Sequence, residues 1–122
     1  MTTLRRAGVL VALACTLAGC AHTTPANVSP AVAKEQDAVA PLKTKYKDVI
    51  TGVQVKDRTL VVYVEPNAMY SMDEDAEAAM KADALGRWKK VWAGAHPHEH
   101  GAVHLVVSDY FGREISRSSA TI

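Results

Sequence analysis

Four of the five histidines in the chain fall in one short run, His96-Pro97-His98-Glu99-His100-Gly101-Ala102-Val103-His104. Neutral imidazole is the commonest protein ligand for transition metals, and Glu99 adds a carboxylate oxygen beside it. In an extended chain His96, His98, His100 and His104 share parity and point to one side. That donor set suits a divalent transition metal such as Zn²⁺, Cu²⁺ or Ni²⁺. The spacing differs from the H-E-x-x-H of helical zinc proteases, because His100 follows His98 by two residues instead of four. Pro97 and Gly101 also interrupt a regular strand. The alternative is a polar loop after a helix, where charged imidazoles favour the negative end of the helix dipole. A pH-sensing loop would use the same side chains.

Aromatic residues supply the other candidates. Trp88 and Trp92 stand four apart, as a buried helix face requires, or as an exposed pair for peptide or glycan binding. Tyr63, Tyr110 and Phe111 are expected to form a partner-binding patch on a sheet face that no helix covers. Enzymatic patterns are missing from the sequence. It has no G-x-S-x-G, no phosphate-binding glycine loop and no free thiol nucleophile. Asp73, Glu74 and Asp75 read as dipole partners at a helix start rather than as a catalytic cluster. No catalytic residues are therefore assigned, and a non-enzymatic role is expected.

These residues need elements to hold them. Pro41 to Asp48 reads as one or two helical turns with Leu42, Tyr46 and Val49 on one face. Lys43, Lys45 and Lys47 flank them, facing water or anionic headgroups. Val49 to Glu65 alternates as a hairpin with Asp57-Arg58 at its turn, and Leu60, Val62 and Val64 share one face. Pro66 ends the second strand. Ser71 to Ala93 is the strongest helix signal. Ser71 and Glu74 have capping-box spacing. Ala76, Met80, Ala84, Trp88 and Trp92 make an apolar stripe, and Gly94 is a natural stop. A third strand is expected from Ala102 to Tyr110, a turn at Asp109–Gly112, and a polar edge strand from Arg113 to Ile122. The order β-β-α-β-β predicts an α+β domain, an antiparallel sheet with one helix on one face.

The start of the chain obeys different rules. Arg5 and Arg6 precede an apolar run from Ala7 to Leu17, too short to span a bilayer and of the length of a signal-peptide core. It leads into Leu17-Ala18-Gly19-Cys20. This tetrapeptide resembles the lipobox of bacterial lipoproteins, and the resemblance covers only residues 1 to about 22. It implies a diacylglyceryl group on the Cys20 thiol, cleavage before Cys20, and a membrane anchor through that lipid. With no aspartate after Cys20, the same resemblance leans towards the outer membrane, facing the periplasm, in a host with two membranes.

The expected organisation is a signal peptide at 1–19, a lipidated and flexible tether at 20–40, with a short helix from Pro30 to Ala40 ended by Pro41 as an alternative within it, and a globular domain at 41–122. The chain carries 14 basic and 13 acidic residues, and removing the signal takes Arg5 and Arg6 with it. The remainder is slightly acidic, which excludes the basic stripe of a nucleic-acid binder. The resemblance implies that Cys15 is discarded and Cys20 lipidated, so no disulfide is expected to staple the domain. The functional expectation is a membrane-anchored module of the cell envelope that binds an envelope protein or cell-wall component. The alternative is a metal-binding lipoprotein using His96, His98, His100 and His104.

Overall fold

A computed structural model describes residues 29–122. The signal segment, Cys20 and the first part of the expected tether lie outside the described residues. The elements in chain order are α1 (Pro30–Val39), α2 (Pro41–Lys45), β1 (Ile50–Lys56), β2 (Thr59–Val64), α3 (Pro66–Tyr70), α4 (Glu74–Ala95), β3 (Ala102–Asp109) and β4 (Glu114–Thr121).

The α+β class matches the expectation. The four strands lie in the order β1-β2-β3-β4. β1 and β2 form the antiparallel hairpin read from the sequence, turned by Asp57 at φ 53°. Aspartate tolerates this left-handed conformation because its short polar side chain bonds locally. β3 and β4 are antiparallel as well. The central pair differs from the all-antiparallel expectation, since β2 and β3 run parallel with Val62 opposite Val107. The cause is α4. A 22-residue helix returns the chain to the end of the sheet where β2 began, so β3 must run the same way.

The stripe on α4 meets one sheet face. Met80, Ala84, Trp88 and Trp92 are buried against Leu60, Val62, Val64, Val103, Leu105 and Val107. Fully burying a side chain of this size stabilises by about 1.5–3 kcal/mol. Ala76 completes the spacing but is exposed. The two tryptophans pack edge to face with centroids 5.9 Å apart, and Trp88 Nε1 donates to the Arg58 carbonyl at 3.0 Å. Trp88 thus ties the helix to the β1–β2 turn, and the pair is core rather than a display surface.

The ends of α4 also differ from the reading above. Its N-cap is Asp73, with no side-chain cap bond. Ser71 instead closes α3, its hydroxyl donating to the Asn67 carbonyl at 2.8 Å. Pro66 starts that short helix, and the Glu65 carboxylate accepts from the Ala68 N–H. Gly94 lies inside α4, which runs on to Ala95 with His96 as its C-cap.

The largest departure is at residues 30–39. The short helix weighed for Pro30 to Ala40 is present at Pro30–Val39, but instead of serving as tether it packs into the folded body. Val39 is fully buried and Glu35 is 4 % exposed. The Gln36 amide explains the docking. Its Nε2 donates to the Val53 carbonyl at 2.6 Å, and its Oε1 accepts from the Val55 N–H at 2.9 Å. One side chain therefore satisfies two backbone groups on the outer edge of β1, where a fifth strand would otherwise pair. Further along, Tyr46 and Lys45 both donate to Asp83 on α4, at 2.6 and 2.7 Å. With Glu35 near His96 and Tyr46 near Asp83, α1 and α2 run antiparallel to α4.

Candidate binding face

The histidine run does not assemble into a metal site. His96 sits at the end of α4, stacked on Trp92 with ring centroids 3.6 Å apart. Its Nε2 lies 2.9 Å from Glu35 Oε2 and its Nδ1 3.0 Å from Glu99 Oε2. Both ring nitrogens are thus engaged with carboxylates. His98 and His100 are exposed in the following loop. His104 stands on β3, its Nδ1 2.7 Å from the Ser119 hydroxyl. Pro97 and Gly101, the latter at φ 115°, break the regular alternation that would have set the four imidazoles on one side. Among the described residues no group of three or more His, Cys, Asp or Glu is placed to hold a metal ion.

Arg58 organises this corner instead. Its guanidinium donates to the carbonyls of Ala102 and His100 at 3.3 and 3.1 Å, and lies 3.4 Å from Glu99. It also sits 4.9 Å from the centre of the Trp92 ring, a cation–π contact. Sequence reasoning took Arg58 as a polar turn residue and Glu35 as tether. Nothing local to either residue marks it as part of a network whose members are far apart in the chain.

Among the described residues no helix packs on the second face of the sheet. Register places Val61 beside Val106 and Tyr63 beside Ser108 on this face. Among the described residues no helix covers Val61 and Val106, yet each is only 8 % exposed. Lys56, Tyr63, Glu114 and Arg117 rise around them and border a shallow depression of about 350 Å³. The Tyr63 hydroxyl donates to Gln54 Oε1 at 2.9 Å, which holds the ring upright as one wall. Arg117 grips Glu114 with two donors, Nε at 3.2 Å and Nη2 at 2.9 Å. That hydrogen bonding holds the Glu114 carboxyl below its ordinary range and pushes the guanidinium up. The depression therefore offers an apolar floor, one aromatic wall and an ion pair at its rim.

Tyr110 and Phe111 stand beyond the end of this face, on the β3–β4 turn, 57 % and 71 % exposed with centroids 4.6 Å apart. The turn is rigid because of Asp109. Its Oδ1 accepts from the N–H groups of Phe111 and Arg113, both at 2.9 Å, and its Oδ2 accepts from Arg113 Nε at 2.9 Å. Desolvation opposes ionisation of this buried carboxyl, yet these donors outweigh it and the Asp109 pKa lies below its ordinary value. Gly112, at φ 87°, closes the turn and borders the same depression as Tyr63. Tyr70, 70 % exposed at the end of α3, is a third aromatic that the sequence reading passed over. It lies at the same end of the sheet, because α3 follows β2 and the turn follows the parallel β3.

Comparison with known proteins finds no matching family model, no matching curated protein and no matching solved structure. Among the described residues no helix is long and apolar enough to cross a membrane.

Proposed function

We propose that this chain is a lipid-anchored module of the bacterial cell envelope that binds a partner and performs no chemistry on it. The observation that carries the reading is the asymmetry of the sheet. One face is sealed by α4, while the other presents Val61 and Val106 within a rim of Tyr63, Lys56, Glu114 and Arg117. Beside it a rigid turn displays Tyr110 and Phe111. Rigid aromatics next to a small apolar floor are the features that anchor protein interfaces. The carboxylates with perturbed pKa values support the same reading. Asp83 fastens α2 to α4, Asp109 builds the turn, and Glu114 pairs with Arg117. Each has a partner that accounts for it. The lipobox resemblance at Leu17–Cys20 supplies the anchor, through lipid on Cys20. The partner is an envelope protein or a cell-wall component.

Photo-crosslinking in living cells tests this. A photoreactive residue placed at Tyr63 or Phe111 should yield one shared adduct, and the same probe at Lys89 on the outer side of α4 should yield none. Equal adducts from all three positions, or none from Tyr63 and Phe111, overturn the binding face. The anchor has its own arm. Cys20→Ser should block processing and incorporation of labelled lipid, and a normally processed, membrane-bound Cys20→Ser chain overturns it.

A further inference from the structure

The charges of α4 are sorted along its length. Its first turn carries Glu74, Asp75 and Glu77, while beyond Asp83 it carries Arg87, Lys89 and Lys90 and no acidic residue. The basic end lies beside the start of α1. Lys34 of α1 and Lys90 of α4 flank a groove of about 480 Å³ whose walls include the small residues Ala31, Ala38, Gly94 and Ala95. Lys34, Lys89 and Lys90 are all exposed. The carboxylates nearby are engaged elsewhere. Glu35 is buried against His96, Glu99 pairs with His96 and Arg58, and Asp83 is held by Lys45 and Tyr46. Asp37 is the exposed acid on α1.

The chain enters the domain at the same place. α1 follows Ser29, which stands nine positions after Cys20. A stretch of that length spans about 32 Å at most. A lipid on Cys20 therefore keeps the start of α1, and the groove beside it, within that distance of the bilayer. β2 and β3 both begin at this end, where Arg58 donates to the Ala102 carbonyl. They run towards Tyr70, Tyr110 and Phe111, so the aromatic turn and the acidic first turn of α4 lie at the far end.

From this coincidence of charge and chain entry we infer that the Lys34–Lys90 end of the domain docks on the anionic headgroups of the membrane that holds the Cys20 lipid. The inference rests on the lipid anchor proposed above and adds an orientation to it. Lys34, Arg87, Lys89 and Lys90 outweigh Asp37, so an anionic surface attracts this end and repels the acidic first turn of α4. The small walls of the groove leave both ammonium groups free to reach a flat surface. The aromatic turn is then held away from the lipid by the eight residues of β3, about 25 Å of strand. It faces the aqueous space in which a partner would be met. An acidic protein would answer the same charges, but the bilayer is the surface that the chain itself holds within reach.

The test places a fluorescent amino acid in the full chain, in place of Gly94 or of Tyr110. Gly94 suits it, because a Cβ there meets no atom within 4 Å. The chains are reconstituted with vesicles of phosphatidylcholine, alone or with about a third phosphatidylglycerol, that carry a quenching nitroxide on some headgroups. The probe at 94 should be quenched in the anionic vesicles and recover at about 0.5 M salt, where the Debye length is about 4 Å. The probe at 110 should stay bright in both. Lys34→Gln/Lys90→Gln should lower the ratio of docked to undocked chains about thirtyfold, at about 1 kcal/mol per cation, and Lys34→Arg/Lys90→Arg should preserve it. Thermal unfolding of each variant confirms that the fold is intact. Flotation of the vesicles reads the anchor separately, since a lipid-held chain floats with both kinds. A chain that floats with both while its probe at 94 is quenched equally in both overturns the docking, leaves the anchor standing and gives the basic end to an acidic protein. Flotation with anionic vesicles alone, lost in the double Gln variant, supports the docking and overturns the anchor. Flotation with neither overturns both, and quenching at 110 in anionic vesicles overturns the orientation.

Discussion

The Glu35 carboxylate meets His96 Nε2 at 2.9 Å across 61 residues of chain, and this contact fastens α1 to the end of α4. Glu35 is 4 % exposed, so its carboxyl group is buried with the His96 imidazole as its side-chain partner. Removing one partner of such a pair costs more than removing both, because the remaining carboxylate loses its donor. His96→Ala should therefore destabilise the fold by about 2 kcal/mol. The double variant Glu35→Ala/His96→Ala should lie closer to wild type. Urea denaturation of the three chains checks the order. A double variant less stable than His96→Ala would contradict it.

Gln36 guards the β1 edge, and its loss should show in two ways. Gln36→Ala leaves the Val53 carbonyl and Val55 N–H without their partner, at about 1–2 kcal/mol. It also exposes a strand edge that can pair with other chains. Light scattering during storage at high concentration should rise relative to wild type. Gln36→Glu should give an intermediate result, since the Val55 N–H keeps an acceptor while the Val53 carbonyl loses its donor.

Asp83 contributes to the pH dependence at both extremes. Hydrogen bonds from Lys45 and then Tyr46 hold its carboxyl below the ordinary aspartate range. A depressed folded pKa contributes stability above the unfolded value of about 3.9, and that contribution is lost as pH falls through the folded value. The hydrogen bond to Asp83 raises the Tyr46 pKa, with burial adding to it. A raised folded pKa contributes stability below the unfolded value of about 10, lost as pH climbs through the folded value. The unfolding midpoint should fall at both the acid and the alkaline end of the pH range. Tyr46→Phe should remove the alkaline slope, apart from the part due to Lys45, whose pKa the same aspartate raises.

Asp109 should matter through its geometry more than its charge. Asp109→Ala deletes the acceptor for two turn N–H groups and should lower the thermal midpoint by about 5 °C or more. Asp109→Asn keeps an oxygen at the Oδ1 position and should recover most of that loss. Binding through Phe111 should follow the same order, because the turn that displays it is the element being loosened.

Trp88 is fully buried and donates to the Arg58 carbonyl. Trp88→Ala should cost about 3–5 kcal/mol, a large share of the stability of a small domain. Trp88→Phe should cost less, because the ring still fills most of the space and only the tie to the turn is lost. Chemical denaturation monitored by circular dichroism separates the two.

Much of this was legible along the chain. The period of two in Leu60, Val62 and Val64 and the period near four from Met80 to Trp92 are written locally, because each strand or helix turns a repeating set of side chains to one side. The hairpin at Asp57-Arg58 and the turn at Asp109–Gly112 were readable for the same reason: turn residues act on their own backbone. The lipobox-like Leu17–Cys20 is likewise a property of sequence alone. Tertiary structure decided the rest. Whether β3 returns parallel or antiparallel depends on where α4 sets the chain down, which no residue of β3 encodes. Whether residues 30–39 serve as tether or dock on the domain turned on Gln36 finding the β1 edge, Glu35 finding His96, and Val39 finding the core. The histidines shared a parity in sequence, but a helix end, a proline and a left-handed glycine set them in different places. Partners that meet across dozens of residues leave no periodic mark, since the contact exists only after the core between them has packed.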